Sequence, residues 1–349
     1  MVSFGLGLVR RPLARSAARA EGAGARYAEN SVLRDGRWVK IRVSDSGVYQ
    51  ITQDLVRTAG FSSLDKVKVY GYGGALQPEK LTGDYLIATD DLKEVATCSA
   101  GGRRLFKAQG PVSWTAAGVR VRNTYSNYGY YFLTESEGEP LTVDSATFVK
   151  SLYATPDITV AQPTYALYEV DDYAWFHGGR HLFDSKTFGN GVSHDYTLNL
   201  RSDNGTGSIT VALTADGASS ATITVNDTTY TMSISARGGY DAAMLSTKTF
   251  KVNCIANGDN KVTIKQNGSS TMRLDYIAMN STAVIAPPNL SSDKFPTAEY
   301  VYGITNQNHH ADPIADMVII IPTTQKQRAY AEQLAEFHRT NDNMTVNIV

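Results

Sequence analysis

Residues 312–349 read DPIADMVIIIPTTQKQRAYAEQLAEFHRTNDNMTVNIV, and this stretch decides the fold class of the last part of the chain. Met317–Ile321 is a continuous apolar run closed by Pro322, which is typical of a strand buried on both faces of a parallel sheet. Apolar residues then recur at helical spacing over 325–339. Residues 344–349 again have the composition of a strand. This order predicts one βαβ unit.

The predicted helix has a capping-box pattern at its start, because Thr324 is followed three residues later by Gln327. The run from Asn341 to Asn343 predicts its end. Two parallel strands and one helix cannot bury their own apolar surface. We therefore expect the chain to be the front part of a longer protein, truncated just after an α/β domain begins.

The composition allows two or three folded domains in 349 residues. Lys and Arg number 33 and Asp and Glu 34, so the net charge of −1 indicates neither nucleic acid nor an acidic membrane surface as a partner. Apolar runs of the roughly 18 residues that a membrane-spanning helix needs do not occur, so we predict no transmembrane segment.

The first 30 residues are arginine-rich and almost free of acidic residues. Their apolar stretch is short and lacks a preceding basic segment, so it is a poor secretory signal. We interpret residues 1–30 as disordered or spurious and exclude them from the fold prediction.

An N-terminal β-rich domain is predicted over residues 31–160. Val39, Ile41 and Val43 alternate with polar or aromatic residues, which is the period of a half-buried strand. The glycine cluster at 71–74 follows an apolar strand and invites comparison with a phosphate-binding loop. Such a loop needs Gly-Lys-Ser/Thr at a helix start, and none follows here, so we favour a tight turn.

A jelly-roll-like β-sandwich domain is predicted over residues 165–285. Its strands carry apolar residues at every second position, with Asn, Asp and Gly turns between them. The alternating sets are Tyr196/Leu198/Leu200, Ile209/Val211/Leu213, Ile223/Val225, Tyr230/Met232/Ile234, Phe250/Val252, Val262/Ile264 and Leu274/Tyr276. Pro287 and Pro288 mark its exit, and residues 286–311 are predicted to link it to the α/β segment at 312–349.

Three stretches resemble the gingipain-type cysteine peptidases: GRWVKIRVSDSGVYQIT (36–52), VKVYGYGG (67–74) and TNQNHHADPIADMVIIIPTTQKQRAYAEQLAEFHRTNDNMTVNIV (305–349). The resemblance covers roughly residues 31–349, and the opening stretch points within this family to the sortase of the type IX secretion system.

This resemblance implies a cell-surface, outer-membrane-associated or periplasmic protein. It implies β-rich N-terminal domains, then a caspase-like α/β domain with a His–Cys dyad. The implied activity is removal of C-terminal signal domains from type IX secretion cargo, which is then attached to the cell surface. The implied partners are those signal domains and other components of the secretion system. In the family the dyad follows later strands of the caspase-like sheet, so no catalytic residue is carried over to this chain.

Two cysteines are candidate nucleophiles, Cys98 and Cys254, but no sequence feature places a histidine base beside either. We favour a packed or turn position for Cys98 and a core position for Cys254. The sequence does not decide whether Cys98 and Cys254 form a disulfide.

The histidines are candidate metal ligands. His309, His310 and Asp312 offer three donors within four residues, but adjacent residues of an extended chain point to opposite faces, which favours a polar linker. His177 and His181 flank glycines that disfavour a helical metal pair, so we predict a loop. His338, next to Phe337, is predicted to be a surface or packing residue of the last helix.

Trp175 and Phe176, with Tyr165, Tyr168 and Tyr173 nearby, have the composition of a sugar-binding platform. The competing interpretation, which we favour, is the edge of the sandwich core or an interdomain contact.

These observations predict no catalytic, cofactor-binding or metal-binding residue in this chain, and no cofactor. Two functions stay open. The first is the front part of a surface cysteine peptidase or sortase that is inactive by itself. The second is a surface adhesion or glycan-binding β-sandwich protein without enzymatic activity.

Overall fold

The computed structural model describes residues 27–136, 138–155, 157–176 and 179–349. The fold is mainly β, as the alternating sequence pattern predicts. The chain is divided into two compact units. We call Arg37–Lys80 with Lys93–Ile304 the β unit, and Met1–Gly36, Leu81–Leu92 and Thr305–Val349 the α/β unit. Residues 1–26, for which disorder is predicted, lie outside the described part.

The strands and helices follow each other in mostly short elements. The strands are β1 (Trp38–Val43), β2 (Gly47–Ile51), β3 (Lys68–Gly73), β4 (Glu94–Val95), β5 (Thr97–Ala100), β6 (Arg103–Ala108), β7 (Val112–Trp114), β8 (Arg120–Arg122), β9 (Gly129–Thr134), β10 (Gln162–Glu169), β11 (Thr187–Phe188), β12 (Ser193–Leu200), β13 (Thr206–Ala215), β14 (Ser219–Val225), β15 (Thr228–Ile234), β16 (Met244–Asn253), β17 (Gly258–Gln266), β18 (Met272–Ala283), β19 (Glu299–Gly303), β20 (Met317–Ile319) and β21 (Val346–Ile348). The helices are α1 (Gln53–Ala59), α2 (Gly83–Ala88), α3 (Ser145–Ser151) and α4 (Arg328–Asp342).

The N-terminal part of the β unit contains two antiparallel sheets, one in the order β19-β1-β9-β3-β4 and one in the order β2-β6-β5. Val39, Ile41 and Val43 of β1 point into their common core, as their period of two predicts. Residues 286–311, predicted as a linker, contain β19, which pairs antiparallel with β1. The chain thus returns to its first sheet after completing the sandwich.

At the glycine cluster of residues 71–74, other backbone segments pass very close to the chain. A Cβ added to Gly73 would lie 2.5 Å from the Gln109 carbonyl oxygen, and one added to Gly74 would lie 2.8 Å from Gly129 Cα. Gly73 also has a φ of +75°. Gly71 and Gly73 lie inside β3 and Gly74 directly follows it, so the glycines allow close packing between strands, and the predicted tight turn is wrong.

A five-stranded and a four-stranded antiparallel sheet form the sandwich, with main orders β10-β18-β13-β16 and β12-β17-β14-β15. β11 also pairs with β18. Their facing sides share one core, because each strand contributes its alternate apolar side chains. Of the predicted alternating residues, Tyr230 and Phe250 are only partly buried and Tyr276 lies outside this core. The others are all buried in it.

The α/β unit contains the predicted βαβ order: β20 and β21 pair in parallel, and α4 connects them. Its helix begins three residues later than the pattern predicts. α4 starts after Gln327, which makes no side-chain cap, because Gln325 adopts a left-handed φ of +57° in a turn that follows Pro322. The capping-box prediction is therefore wrong, whereas Asn343 ends the helix in a left-handed conformation at the predicted position.

The apolar run of this unit is not buried on both faces, contrary to the sequence pattern. Val318 and Ile320 are 56% and 82% exposed, and Leu334 and Phe337 of α4 are also exposed. Ala331, Ala335 and Val346 are its buried apolar residues within the described part of the chain. Two strands and one helix supply too little surface to cover the remaining apolar side chains.

None of the helices in the described residues has the length and apolar character that a membrane-spanning helix needs.

This difference in burial predicts unequal local stability. We expect backbone amides of residues 317–321 to exchange with deuterium about a hundredfold faster than those of 209–213, because few apolar contacts oppose local opening in the α/β unit. Hydrogen exchange followed by mass spectrometry compares both segments in one sample. Equal protection of the two segments would contradict this expectation.

Candidate functional site

Neither cysteine has the surroundings of a nucleophile. Cys98 is fully buried in β5, packs with Leu105 and Phe148, and has its Sγ 3.7 Å from Ser145 Oγ. Cys254 is buried in the sandwich core, where burial raises the pKa of its thiol. Both are free thiols. Within the described part of the chain, neither sulfur has a hydrogen bond to a histidine.

The histidines weighed as metal ligands have separate partners. His309 Nδ1 lies 2.7 Å from Asp312 Oδ2, whereas His310 Nδ1 lies 2.9 Å from the Ala28 carbonyl oxygen. His338 lies on α4 and pairs with Asp342 at 2.7 Å. His181 lies in a loop and His177 outside the described residues. The structure therefore does not bring His309, His310 and Asp312 together around one point.

The aromatic residues weighed as one platform belong to different contacts. Tyr165 stacks on Trp114, with ring centroids 4.2 Å apart and an interplanar angle of 7°. Tyr168 packs edge-on against Tyr196. Tyr173 and Trp175 meet edge to face at 5.5 Å. Phe176, next in sequence, is exposed.

The β7–β8 hairpin brings two arginines onto acidic residues of the sandwich. Arg120 Nε donates to Glu169 Oε2 at 3.1 Å, and a second guanidinium nitrogen contacts the other carboxylate oxygen. Arg122 Nη2 lies 2.6 Å from Asp171 Oδ2. The Arg120 guanidinium also covers the Tyr276 ring, 4.2 Å from its centroid. Because the Glu169 side chain is only 4% exposed, these ion pairs are largely shielded from water.

Asp275 adds a third carboxylate to this group. In the pairing of β13 with β18, Ala212 faces Tyr276 and Leu213 faces Leu274, so Asp275 is the extra residue of a β-bulge. Burial raises the pKa of Asp275 to about 6, against the opposing effect of Arg120. Burial likewise raises the pKa of Asp171. We call Arg120, Arg122, Glu169, Asp171 and Asp275 the ionic cluster.

The three carboxylates of the ionic cluster offer oxygens within 4.8 Å of one another, a spacing that suits a divalent cation. Their charge is already opposed by the guanidinium groups of Arg120 and Arg122 in direct contact. A cation placed there would be repelled by both arginines. The arrangement is that of a salt-bridged contact between the hairpin and the sandwich.

Sequence reasoning missed the ionic cluster, although a signal was present. Arg120 and Arg122 are two residues apart, as are Glu169 and Asp171, so in extended chain each pair projects to one face. Two arginines and two carboxylates with the same spacing can form ion pairs when their extended segments lie side by side. The pairs are 49 residues apart in sequence, so no local rule joins them.

No family model and no curated protein matches the chain. Among solved structures, the crystal structure of dimeric latent PorU from Porphyromonas gingivalis is similar with a TM-score of 0.70 and 22% sequence identity. The alignment covers 93% of this chain and 38% of the PorU chain. The chain has a PorU-like fold. This agrees with the predicted resemblance at the level of the fold, and the chain spans well under half the length of PorU.

Carbohydrate-binding modules are also similar to part of the chain. A module from Cellvibrio mixtus lichenase 5A in complex with cellotriose has a TM-score of 0.22 and 23% identity, over 28% of this chain and 75% of its own. A module from Cellvibrio japonicus Abf62 has a TM-score of 0.25 and 16% identity, over 34% and 87%. Scores this low carry no functional argument.

The ionic cluster predicts a pH-dependent cost of removing one arginine. Arg120→Ala should lower the free energy of unfolding by about 3–5 kcal/mol near neutral pH, because it removes the direct partner of the largely buried Glu169 and leaves Arg122 alone in the ionic cluster to oppose three carboxylates. The raised pKa of Asp275 means that the folded state binds its proton more tightly than the unfolded chain. Stability therefore falls as pH rises from the usual 3.8 through about 6.

Without Arg120 the pKa of Asp275 rises further, so the cost of the variant should be smaller near pH ~5 than near pH ~7.5. Urea unfolding of both proteins at the two pH values measures this. Arg57→Ala removes an exposed ion pair with Asp54 and should cost less than about 1 kcal/mol at either pH. A pH-independent cost of Arg120→Ala would show that packing, not charge, accounts for the loss.

Proposed function

We propose that the chain is the front, non-catalytic part of a PorU-like surface cysteine peptidase of the sortase kind. The observation that carries this proposal is the PorU-like course of the backbone over 93% of the chain. In this role the β unit docks on or shields a catalytic α/β domain. The whole protein would cleave C-terminal signals from type IX secretion cargo and attach the cargo to the cell surface.

Two features of the α/β unit support this role. The apolar side chains of Val318 in β20 and of Ile320 just after it are exposed, and so are those of Leu334 and Phe337 on α4. Further strands and helices of the same domain are the natural cover for such a surface, because open parallel sheets have both faces covered. Active sites of open α/β sheets lie at the carboxyl ends of their strands. Residues beyond this chain would build that edge.

The cysteines of the chain support a non-catalytic role. A thiol peptidase needs a thiolate within hydrogen-bond reach of a base and donors for the oxyanion. The Cys98 side chain instead lies among Leu105, Phe148 and Leu290 and is closed to substrate. In the proposed protein, the nucleophile and its base come from later strands.

We expect the 349-residue chain to hydrolyse no peptide. The assay uses fluorogenic peptides and a type IX cargo protein that carries its C-terminal signal domain, with and without a thiol reductant. Cys98→Ser and Cys254→Ser serve as matched variants. Thiol-dependent cleavage that disappears with Cys98→Ser would place the active site in this chain and refute the proposed division of roles.

We also expect the reading frame after codon 349 to encode further apolar strands, one followed by a histidine and the next by a cysteine. Sequencing the genomic locus tests this directly. A protein extended through those strands should release the signal domain from the cargo, and substitution of the downstream cysteine should abolish release. A stop codon, or a continuation without such strands, would leave the adhesion or glycan-binding function as the better account.

A further inference from the structure

An open pocket of about 420 Å³ lies at one end of the sandwich, where three connections meet. Trp175 and Phe176 come from the connection after β10, and Asp216 comes from the turn between β13 and β14. The long connection between β15 and β16 supplies Arg237 and Tyr240. Loops at the end of a rigid sandwich are a common position for binding residues.

Trp175 is held in place before any ligand arrives. Its indole Nε1–H donates to Thr214 Oγ1 at 3.2 Å, and its ring packs edge to face against Tyr173. The Arg273 guanidinium lies over the Tyr173 ring, 3.5 Å from the ring centroid. Arg273 also donates hydrogen bonds to backbone carbonyls, including that of Asp184. Fixing an aromatic ring in this way reduces the entropy lost on binding.

The other two aromatic rings of the pocket face water. Phe176 is 62% exposed and Tyr240 is fully exposed. Exposed rings are costly unless they bury area against a partner, so two of them beside Trp175 at one pocket indicate a binding surface.

Polar groups surround these rings. Asp216 is positioned by the Thr271 N–H, which donates to its Oδ1 at 2.8 Å. Arg237 Nη1 donates to the Asp241 carbonyl oxygen at 3.2 Å, which fixes its loop. The carboxylates of Asp216 and Asp241 outnumber the single guanidinium. A ligand with hydroxyl groups finds both acceptors and donors here, whereas an anionic ligand meets net repulsion.

We propose that this pocket binds a neutral glycan. A pyranose ring presents an apolar face of C–H groups, which stacks on aromatic rings, and a rim of hydroxyls, which hydrogen-bond to carboxylate and guanidinium groups. Trp175 provides the fixed stacking surface, and Phe176 and Tyr240 extend it to neighbouring sugar units. The site does not depend on the role in a PorU-like peptidase, because it uses only residues of the sandwich.

The test is binding of cellohexaose, xylohexaose and mannohexaose to the full chain, measured by isothermal titration calorimetry and by tryptophan fluorescence. At least one of these neutral hexasaccharides should bind, and Tyr240→Ala and Phe176→Ala should each weaken binding about tenfold. Trp175→Ala should abolish it. Tyr330→Ala, which removes an exposed tyrosine of the α/β unit, is the matched control and should leave binding unchanged.

Because Tyr240 is fully exposed, its substitution leaves the fold intact, and circular dichroism of each variant verifies this. An oligogalacturonate of equal length should bind more weakly than the neutral sugars. Three outcomes would overturn the proposal: no binding of any neutral hexasaccharide, equal binding by the Tyr240 and Phe176 variants, or tighter binding of the anionic oligomer that salt reverses. The last outcome would assign the pocket to acidic ligands.

Discussion

The ionic cluster is the contact on which the organisation of the β unit depends. Burying five ionisable side chains costs several kcal/mol for each desolvated ion, and the attraction between them offsets this only when the geometry is good. Here Arg120 contacts both oxygens of Glu169, and Arg122 reaches Asp171. An apolar contact of the same size would stabilise as well. We infer that charge is used because it defines one position of the hairpin on the sheet.

Neutral contacts around the ionic cluster fix the same position. The β7 residue Trp114 stacks on Tyr165, and the Gly118 carbonyl accepts a hydrogen bond of 3.2 Å from Asn280 Nδ2. A Cβ at Gly118, whose φ is +73°, would come within 2.9 Å of the same amide. Together with the pairing of β19 on β1, these contacts join the regions predicted as 31–160 and 165–285 into one compact unit. The predicted domain bounds themselves stay a prediction.

What the sequence could predict follows from the range of each interaction. The buried strand residues, such as Ile209, Val211 and Leu213, repeat every second position, so a short window reveals them. The salt bridges of Arg120 and Arg122 join segments far apart in sequence, and the bulge at Asp275 depends on register between two strands. Local spacing shows that each like-charged pair projects to one face, but it does not show which segments meet. The residues of the glycan pocket could not be grouped from the sequence either, because three separate connections supply them.

The prediction that fails in the α/β unit has a different cause. The run Met317–Ile321 has the composition of a strand covered on both faces, yet Val318 and Ile320 are exposed. The amino-acid composition of a segment suits the environment in which that segment normally lies. The exposure of its side chains depends on which elements pack against them. The sandwich has its core complete within 21 buried residues, so it needs no further cover. The α/β unit buries only Ala331, Ala335 and Val346 among its described apolar residues, so its local opening exposes little additional apolar surface and should cost less free energy than opening of the sandwich.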